Sequence, residues 1–229
     1  MQDQQTNILP FSKETPIRKR KRDSGRIRNV DGIKYFHARQ IKTIRRHVRD
    51  QAEIDAQKGN MTGIREWMAV DLLTSTGLRV SEAANLRCGD LRIGYSESKI
   101  FIREGKGHVS GHVIINEALK RHLKAFLAWK KGIGEPTEED DFLFVGQRGP
   151  WTAQAIQQIV KKYLKKLDLY QRGKSVHALR HSYAVELYSR EKDLRVVQKQ
   201  LRHVSIQSTL VYADVTDEAI SDQIKGLWN

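Results

Sequence analysis

Only one cysteine, Cys88, occurs in the 229 residues, which excludes an internal disulfide framework and any cysteine-rich zinc module and fits a reducing compartment. No apolar run approaches the roughly 18 residues that a bilayer-spanning helix needs, and the stretch MQDQQTNILPFSKETP lacks the apolar core of a secretory signal. The expectation is a soluble, cytoplasmic chain with no membrane partner. Acidic residues are also short: 27 Asp plus Glu face 41 Lys plus Arg, a net charge of +14. That excess favours a polyanionic partner. Against these shortages stand 39% hydrophobic and 30% charged residues, a balance that supports a buried core and argues against disorder outside the ends.

Some chemistries are also missing. The GKG at Gly105 to Gly107 is too short to be a nucleotide-binding phosphate loop, so ATP use is not indicated. The eight histidines make no HExxH pattern and the carboxylates no metal-ligand cluster, so neither a metal nor another cofactor is expected. Charge for catalysis must then come from arginine, lysine and histidine.

Residues 1–33 hold the run Arg18-Lys19-Arg20-Lys21-Arg22, then Arg26 and Arg28, without helical or strand periodicity. They read as a flexible basic arm, equally as a solvated charged leader. The folded body runs over 34–229. Ile41, Ile44, Val48, Ala52 and Ile54 form a helical stripe from Ala38 to about Lys58, with Arg45, Arg46 and Arg49 on the other face. A second helix over Thr62 to Ser75 buries Ile64, Trp67, Met68 and Leu72 and ends at Gly77. A short third helix covers Val80 to Leu86. Between Asp90 and Ile115 the segments LRIG, KIFIRE and HVIIN alternate in polarity, with Gly94, Gly105, Gly107 and Gly111 as turn residues. This predicts three short antiparallel strands. Helices follow over Glu117 to Lys131 and over 153–168, the latter with Lys161, Lys162, Lys165 and Lys166 opposite its apolar face. Those lysines suit phosphate contact as well as a merely solvated face, and with the Arg45, Arg46 and Arg49 face they are the candidate DNA-contact surfaces. Short helices complete the chain at Val176 to Ser189, Leu194 to Leu201, Ile206 to Ala213 and Glu218 to Leu227. The class is α+β: a mostly helical domain with one small antiparallel sheet.

Four stretches carry arginine, lysine, histidine and tyrosine residues that could do chemistry. They are TGLRVSEAANLR with Arg79 and Glu82, the strand-to-strand turn with Lys106, HALRH with His177 and Arg180, and LRHVSIQSTLVY with His203 and Tyr212. Singly each is weak. Arg79 three residues before Glu82 also describes an intrahelical salt bridge, and Tyr212 a core aromatic like Tyr183 or Tyr188. Together, in this order, with Leu201 two before His203 and Thr209 three before Tyr212, they resemble the catalytic domain of the tyrosine recombinases, the phage-integrase and Xer-like family.

The resemblance implies that Tyr212 attacks a DNA phosphodiester, leaving a 3′-phosphotyrosyl link and a free 5′-hydroxyl. It gives Arg79 and Arg180 the nonbridging oxygens, where forked guanidiniums neutralise developing charge. Lys106 would protonate the leaving 5′-oxygen. His177 and His203 would hydrogen-bond the phosphate and assist proton transfer at the tyrosine, and Glu82 would orient its neighbours. His181, directly after Arg180, is expected to face away from the site. The implied partners are double-stranded DNA, four protomers on paired sites and accessory DNA-bending proteins, in a nucleoid-associated setting. The 218–227 helix would dock on a neighbouring protomer, or equally pack on its own chain. Two departures stand out. Few residues precede the body, as in the minimal fimbrial-phase-inversion recombinases, and HVSGHVIIN after Lys106 lacks the basic residues that often continue the family's turn. A site-specific recombinase is the leading reading; a small type IB topoisomerase and an inactive DNA-binding regulator of the same fold are the alternatives.

Overall fold

In a computed structural model the chain is described over residues 33–103 and 110–213. The basic arm up to residue 32, the turn bearing Gly105, Lys106 and Gly107, and the expected 218–227 helix lie outside the described residues.

The fold is organised around α2 (Thr62–Thr76), buried on nearly every side. It is buried because it is surrounded: α2 packs against α1 (Ala38–Gln57), α4 (Glu117–Gly132), α5 (Ala153–Lys166) and α6 (Val176–Glu191). In α1 the stripe Ile44, Val48 and Ala52 is buried, but Ile54 is 45% exposed. Ile54 sits two residues past Ala52, about 200° round the helix, so the expected stripe ends one turn earlier.

Most polar residues of α2 inside the core find partners, the buried Ser75 hydroxyl having no hydrogen bond among the described residues. Asp71 accepts Arg45 Nη2 at 2.6 Å and contacts His122 Nδ1 at 2.9 Å. Glu66 accepts the Lys162 ammonium and the Tyr163 hydroxyl. Thr74 and Thr76 bond back to the carbonyls of Val70 and Leu72.

Gly77 ends α2 at φ 65°, the left-handed conformation that favours glycine. A Cβ there would lie 2.6 Å from the Tyr183 ring of α6 and 2.9 Å from Leu201. The chain then turns directly into α3 (Val80–Ala84), whose N-cap is Arg79.

Three antiparallel strands follow in the order β1 (Leu91–Arg92), β2 (Lys99–Ile102), β3 (Gly111–Ile114), with Ile100 opposite Val113 and both buried. Gly111 is the first residue of β3, paired with Ile102, rather than a turn residue as expected. A two-stranded hairpin, β4 (Val145–Gly146) and β5 (Gly149–Pro150), precedes α5.

The open edge of β3 is closed by α7 (Leu194–Leu201). Gln200 accepts the Ile114 N–H at 3.2 Å and donates to the Ile114 carbonyl at 2.8 Å, and its amide also reaches the Tyr183 hydroxyl. One side chain thus ties sheet, α6 and α7 together, supplying the ladder partners an edge strand lacks. α8 is a single turn, Gln207–Leu210, shorter than the predicted 206–213 helix; the chain continues through turns to Ala213. Beside the main core, a small cluster of Ala184, Val197, Leu201 and Tyr212 joins α6, α7 and this last segment. Among the described residues no helix is long and apolar enough to cross a membrane.

Candidate active site

The functional side chains gather where α2, α6 and α7 end or cross. Arg180, on the second turn of α6, is 8% exposed and donates from Nη1 to the Gly77 carbonyl (2.6 Å) and from Nη2 to the Leu201 carbonyl (2.8 Å). Both acceptors lie at helix C-termini, where unpaired carbonyls carry partial negative charge. The left-handed residues Gly77 and Arg202 end those helices and leave the carbonyls available to one guanidinium. Burial, with repulsion from nearby Arg79, lowers the Arg180 pKa to about 10, so it stays charged at neutral pH.

Arg79 is held from the other side. Glu82, almost fully buried, accepts the Arg79 backbone N–H and its Nη1, each at 2.8 Å. It also accepts Nη2 of Arg202 at 2.5 Å. Two guanidiniums, those of Arg79 and Arg202, therefore share a single carboxylate, and Arg180 lies within electrostatic reach of both, a positively charged pocket suited to an anion. Arg202 has an 8% exposed side chain whose Nε and Nη1 have no hydrogen-bond partner among the described residues. Its Cδ lies 3.2 Å from where a Cβ on Gly111 would sit, just after the turn that carries Lys106.

Tyr212 is 2% exposed, its ring in the small cluster between α6 and α7. Burial raises the phenol's pKa while Arg180 and Arg79 pull it back down, so both arginines lie within electrostatic reach of its hydroxyl. His203 lies nearly parallel to the Tyr212 ring at 17° and 6.3 Å between centroids, and its Nδ1 is 2.9 Å from the Thr209 hydroxyl. Burial, then Arg180 and Arg79, pushes its pKa down to about 4, so His203 is neutral at pH 7. His177 is exposed on the first turn of α6.

The expected position of His181 is wrong. Its Nδ1 lies 3.0 Å from the Tyr212 hydroxyl. The successor of Arg180 points about 100° away from it, but Tyr212 packs on that side of α6, and the four-residue spacing from His177 to His181 puts both histidines on one face. That spacing was the available signal. Arg202 was missed for a different reason: its role depends on the left-handed end of α7, which no periodicity announces.

The candidate DNA-contact residues scatter. Arg45 turns inward to Asp71, while Arg46 is exposed and Arg49 lies 3.9 Å from Asp50. On α5, Lys162 is paired with Glu66; Lys161 and Lys165 lie over the Tyr170 ring, and Lys166 is 5.8 Å from the Tyr163 ring centre. This lysine face is partly committed to the protein's own aromatics.

With this geometry in place, similarity to known proteins is specific. The model of the phage integrase family matches residues 35–219, and the chain belongs to that family. It is 30% identical over 166 residues to tyrosine recombinase XerA of Pyrococcus horikoshii, covering 71% of this chain and 54% of the relative. To XerC of Treponema denticola it is 34% identical over 164 residues, covering 67% and 52%. The chain thus spans about half the length of the curated relatives it matches. The fold is shared with the crystal structure of XerH in a post-cleavage complex with a palindromic difH substrate, at TM-score 0.70, 21% identity and coverage of 83% and 52%. It is shared also with XerA recombinase, at TM-score 0.66, 25% identity and coverage of 86% and 64%.

Proposed function

We propose that this chain is a site-specific DNA recombinase that cleaves and rejoins double-stranded DNA through a 3′-phosphotyrosyl intermediate. The observation that carries the reading is electrostatic. Arg79 and Arg180, held by Glu82 and by two helix ends, both act on the buried Tyr212 phenol, offsetting part of the rise that burial imposes on its pKa.

In this reading Arg79 and Arg180 bind the nonbridging oxygens, where donors fixed before reaction stabilise the charge of the pentacoordinate phosphorus without reorganising. His203, neutral and anchored through Thr209, and His177, at the exposed start of α6, hydrogen-bond the same phosphate. Lys106 protonates the leaving 5′-oxygen. Glu82 positions Arg79. Because Tyr212 is 2% exposed, attack requires the segment after α8 to shift so that the hydroxyl meets the phosphate.

Two further parts extend the reading. The basic arm 1–33 tracks the DNA backbone outside the 34–229 body, together with the exposed Arg46 and the α5 lysines. The apolar C-terminal segment, with Ala219, Ile220, Ile224, Leu227 and Trp228, docks on a neighbouring protomer of a tetramer assembled on paired sites. A groove of about 1200 Å³ bordered by α1, β3, α6 and α7 is available for it, with Ile114, Val196 and Val204 exposed along its wall. Accessory DNA-bending proteins would assist that assembly at the nucleoid.

The test is covalent trapping. Nicked duplexes from the DNA flanking the gene should give a denaturant-resistant adduct that Tyr212→Phe abolishes while retaining DNA binding. Unimpaired recombination by Tyr212→Phe would sink the reading.

A further inference from the structure

We infer that His181 is the general base that takes the phenolic proton of Tyr212, an assignment that rests on the recombinase reading above. The first requirement of a base is geometric: it must reach the proton it removes. His181 Nδ1 is 3.0 Å from the Tyr212 hydroxyl. The other two histidines of the site are placed differently. His203 has its Nδ1 engaged by Thr209 and lies nearly parallel to the phenol, and His177 is exposed at the start of α6 with no hydrogen bond to the hydroxyl.

The surroundings of the pair set the protonation state from which transfer starts. The groups facing His181 are His177 and Arg180 from its own helix, His203 from the α7–α8 connection and Tyr212 itself. Burial, then His177 and Arg180, holds the imidazole below its ordinary pKa of 6.5, so it is neutral at pH 7 and keeps a lone pair for the proton. Arg180 and Arg79 meanwhile favour the phenolate. Burial works against charge on both partners, weakening the imidazole as a base and the phenol as an acid, so the transfer relies on the 3.0 Å contact and on the two arginines that stabilise the phenolate as it forms.

The step balances without a further reagent. The Tyr212 O–H bond breaks and its proton goes to Nδ1 of His181. The phenolate oxygen forms the bond to phosphorus, the P–O5′ bond breaks, and the leaving oxygen takes a proton from the Lys106 ammonium. Rejoining reverses each transfer, and the imidazolium of His181 returns its proton to the departing phenolate.

Single-turnover adduct formation on the nicked genomic-flank duplex tests the assignment. His181→Gln keeps a side chain able to accept the hydroxyl's hydrogen bond but unable to hold the proton. It should slow adduct formation by about 10²-fold or more, with DNA binding and melting temperature unchanged. Added imidazole should partly restore His181→Ala. The wild-type rate should fall on the acid side below pH 6.5, where His181 protonates, and that acid limb should be missing in His181→Gln. Adduct formation by His181→Gln at the wild-type rate or faster would overturn the assignment and make the contact a resting latch. A slowed variant with the wild-type pH profile would also overturn it, leaving His181 a spacer. A wild-type chain that binds the duplex and forms no adduct would overturn the recombinase reading, and this inference with it.

Discussion

Glu82 holds the cationic pocket together at the scale of single residues. Its carboxylate takes two donors from Arg79 and one from Arg202, and its side chain is 3% exposed. A buried charge is stable only with its partners, and removing one side leaves the others desolvated and unpaired. Glu82→Ala should therefore lower unfolding free energy by about 3 kcal/mol, as expected for a broken buried ion pair, measured by urea denaturation. DNA cleavage should fall further than stability explains, because Arg79 loses both its N-cap acceptor and its guanidinium anchor. Unchanged stability would mean that Arg202 and Arg79 find other acceptors. The pairing of Arg79 with Glu82 was legible from their spacing; the third partner, Arg202, comes from far along the chain and was not.

Among the elements, the ends of helices matter more than their middles. α2 and α7 both stop at left-handed residues, Gly77 at φ 65° and Arg202 at φ 53°, and each end presents a carbonyl to Arg180. At Gly77 two constraints coincide, a positive φ and close contact with Tyr183 and Leu201. Gly77→Ala should cost about 1–3 kcal/mol from overpacking and backbone strain, seen as a lower melting temperature. It should also reduce cleavage by displacing the acceptor of Arg180. A stable, fully active Gly77→Ala would show that α6 can move away freely. Most helices were readable from apolar spacing, and α7 matched its expected bounds at Leu194–Leu201. The 206–213 helix did not form in full: beyond its single turn the chain bends to carry Tyr212 into the cluster between α6 and α7.

For the whole molecule, the net charge of +14 would, on the proposed function, govern association with DNA before any base is read, through release of condensed counterions. Residues 1–33 hold eight Lys or Arg against four Asp or Glu. If the body makes six or more phosphate contacts, affinity should fall at least about 10³-fold between roughly 50 and 200 mM salt. Deleting residues 1–33 should flatten that dependence. Ending the chain at Ala213 should leave the salt dependence intact and remove the higher-order complex, read by titrations in native gels. An unchanged slope without the arm would make it a bystander, and a tetramer without residues 214–229 would exclude their docking role.

By itself the sequence determined the kind of molecule: periodicity specified the helices and the small sheet, and the ordered motifs specified the family and the arginines, histidines and tyrosine to examine. These signals are local, because side-chain repeat and motif spacing follow from backbone geometry within one element. Tertiary structure alone decided who touches whom. It put His181 rather than His177 against the Tyr212 hydroxyl, joined Arg202 to Glu82, turned Arg45 inward to Asp71 and bound Arg180 to the ends of two other helices. Each of these contacts joins residues more than twenty positions apart, brought together by how helices cross and end, which no short-range pattern records.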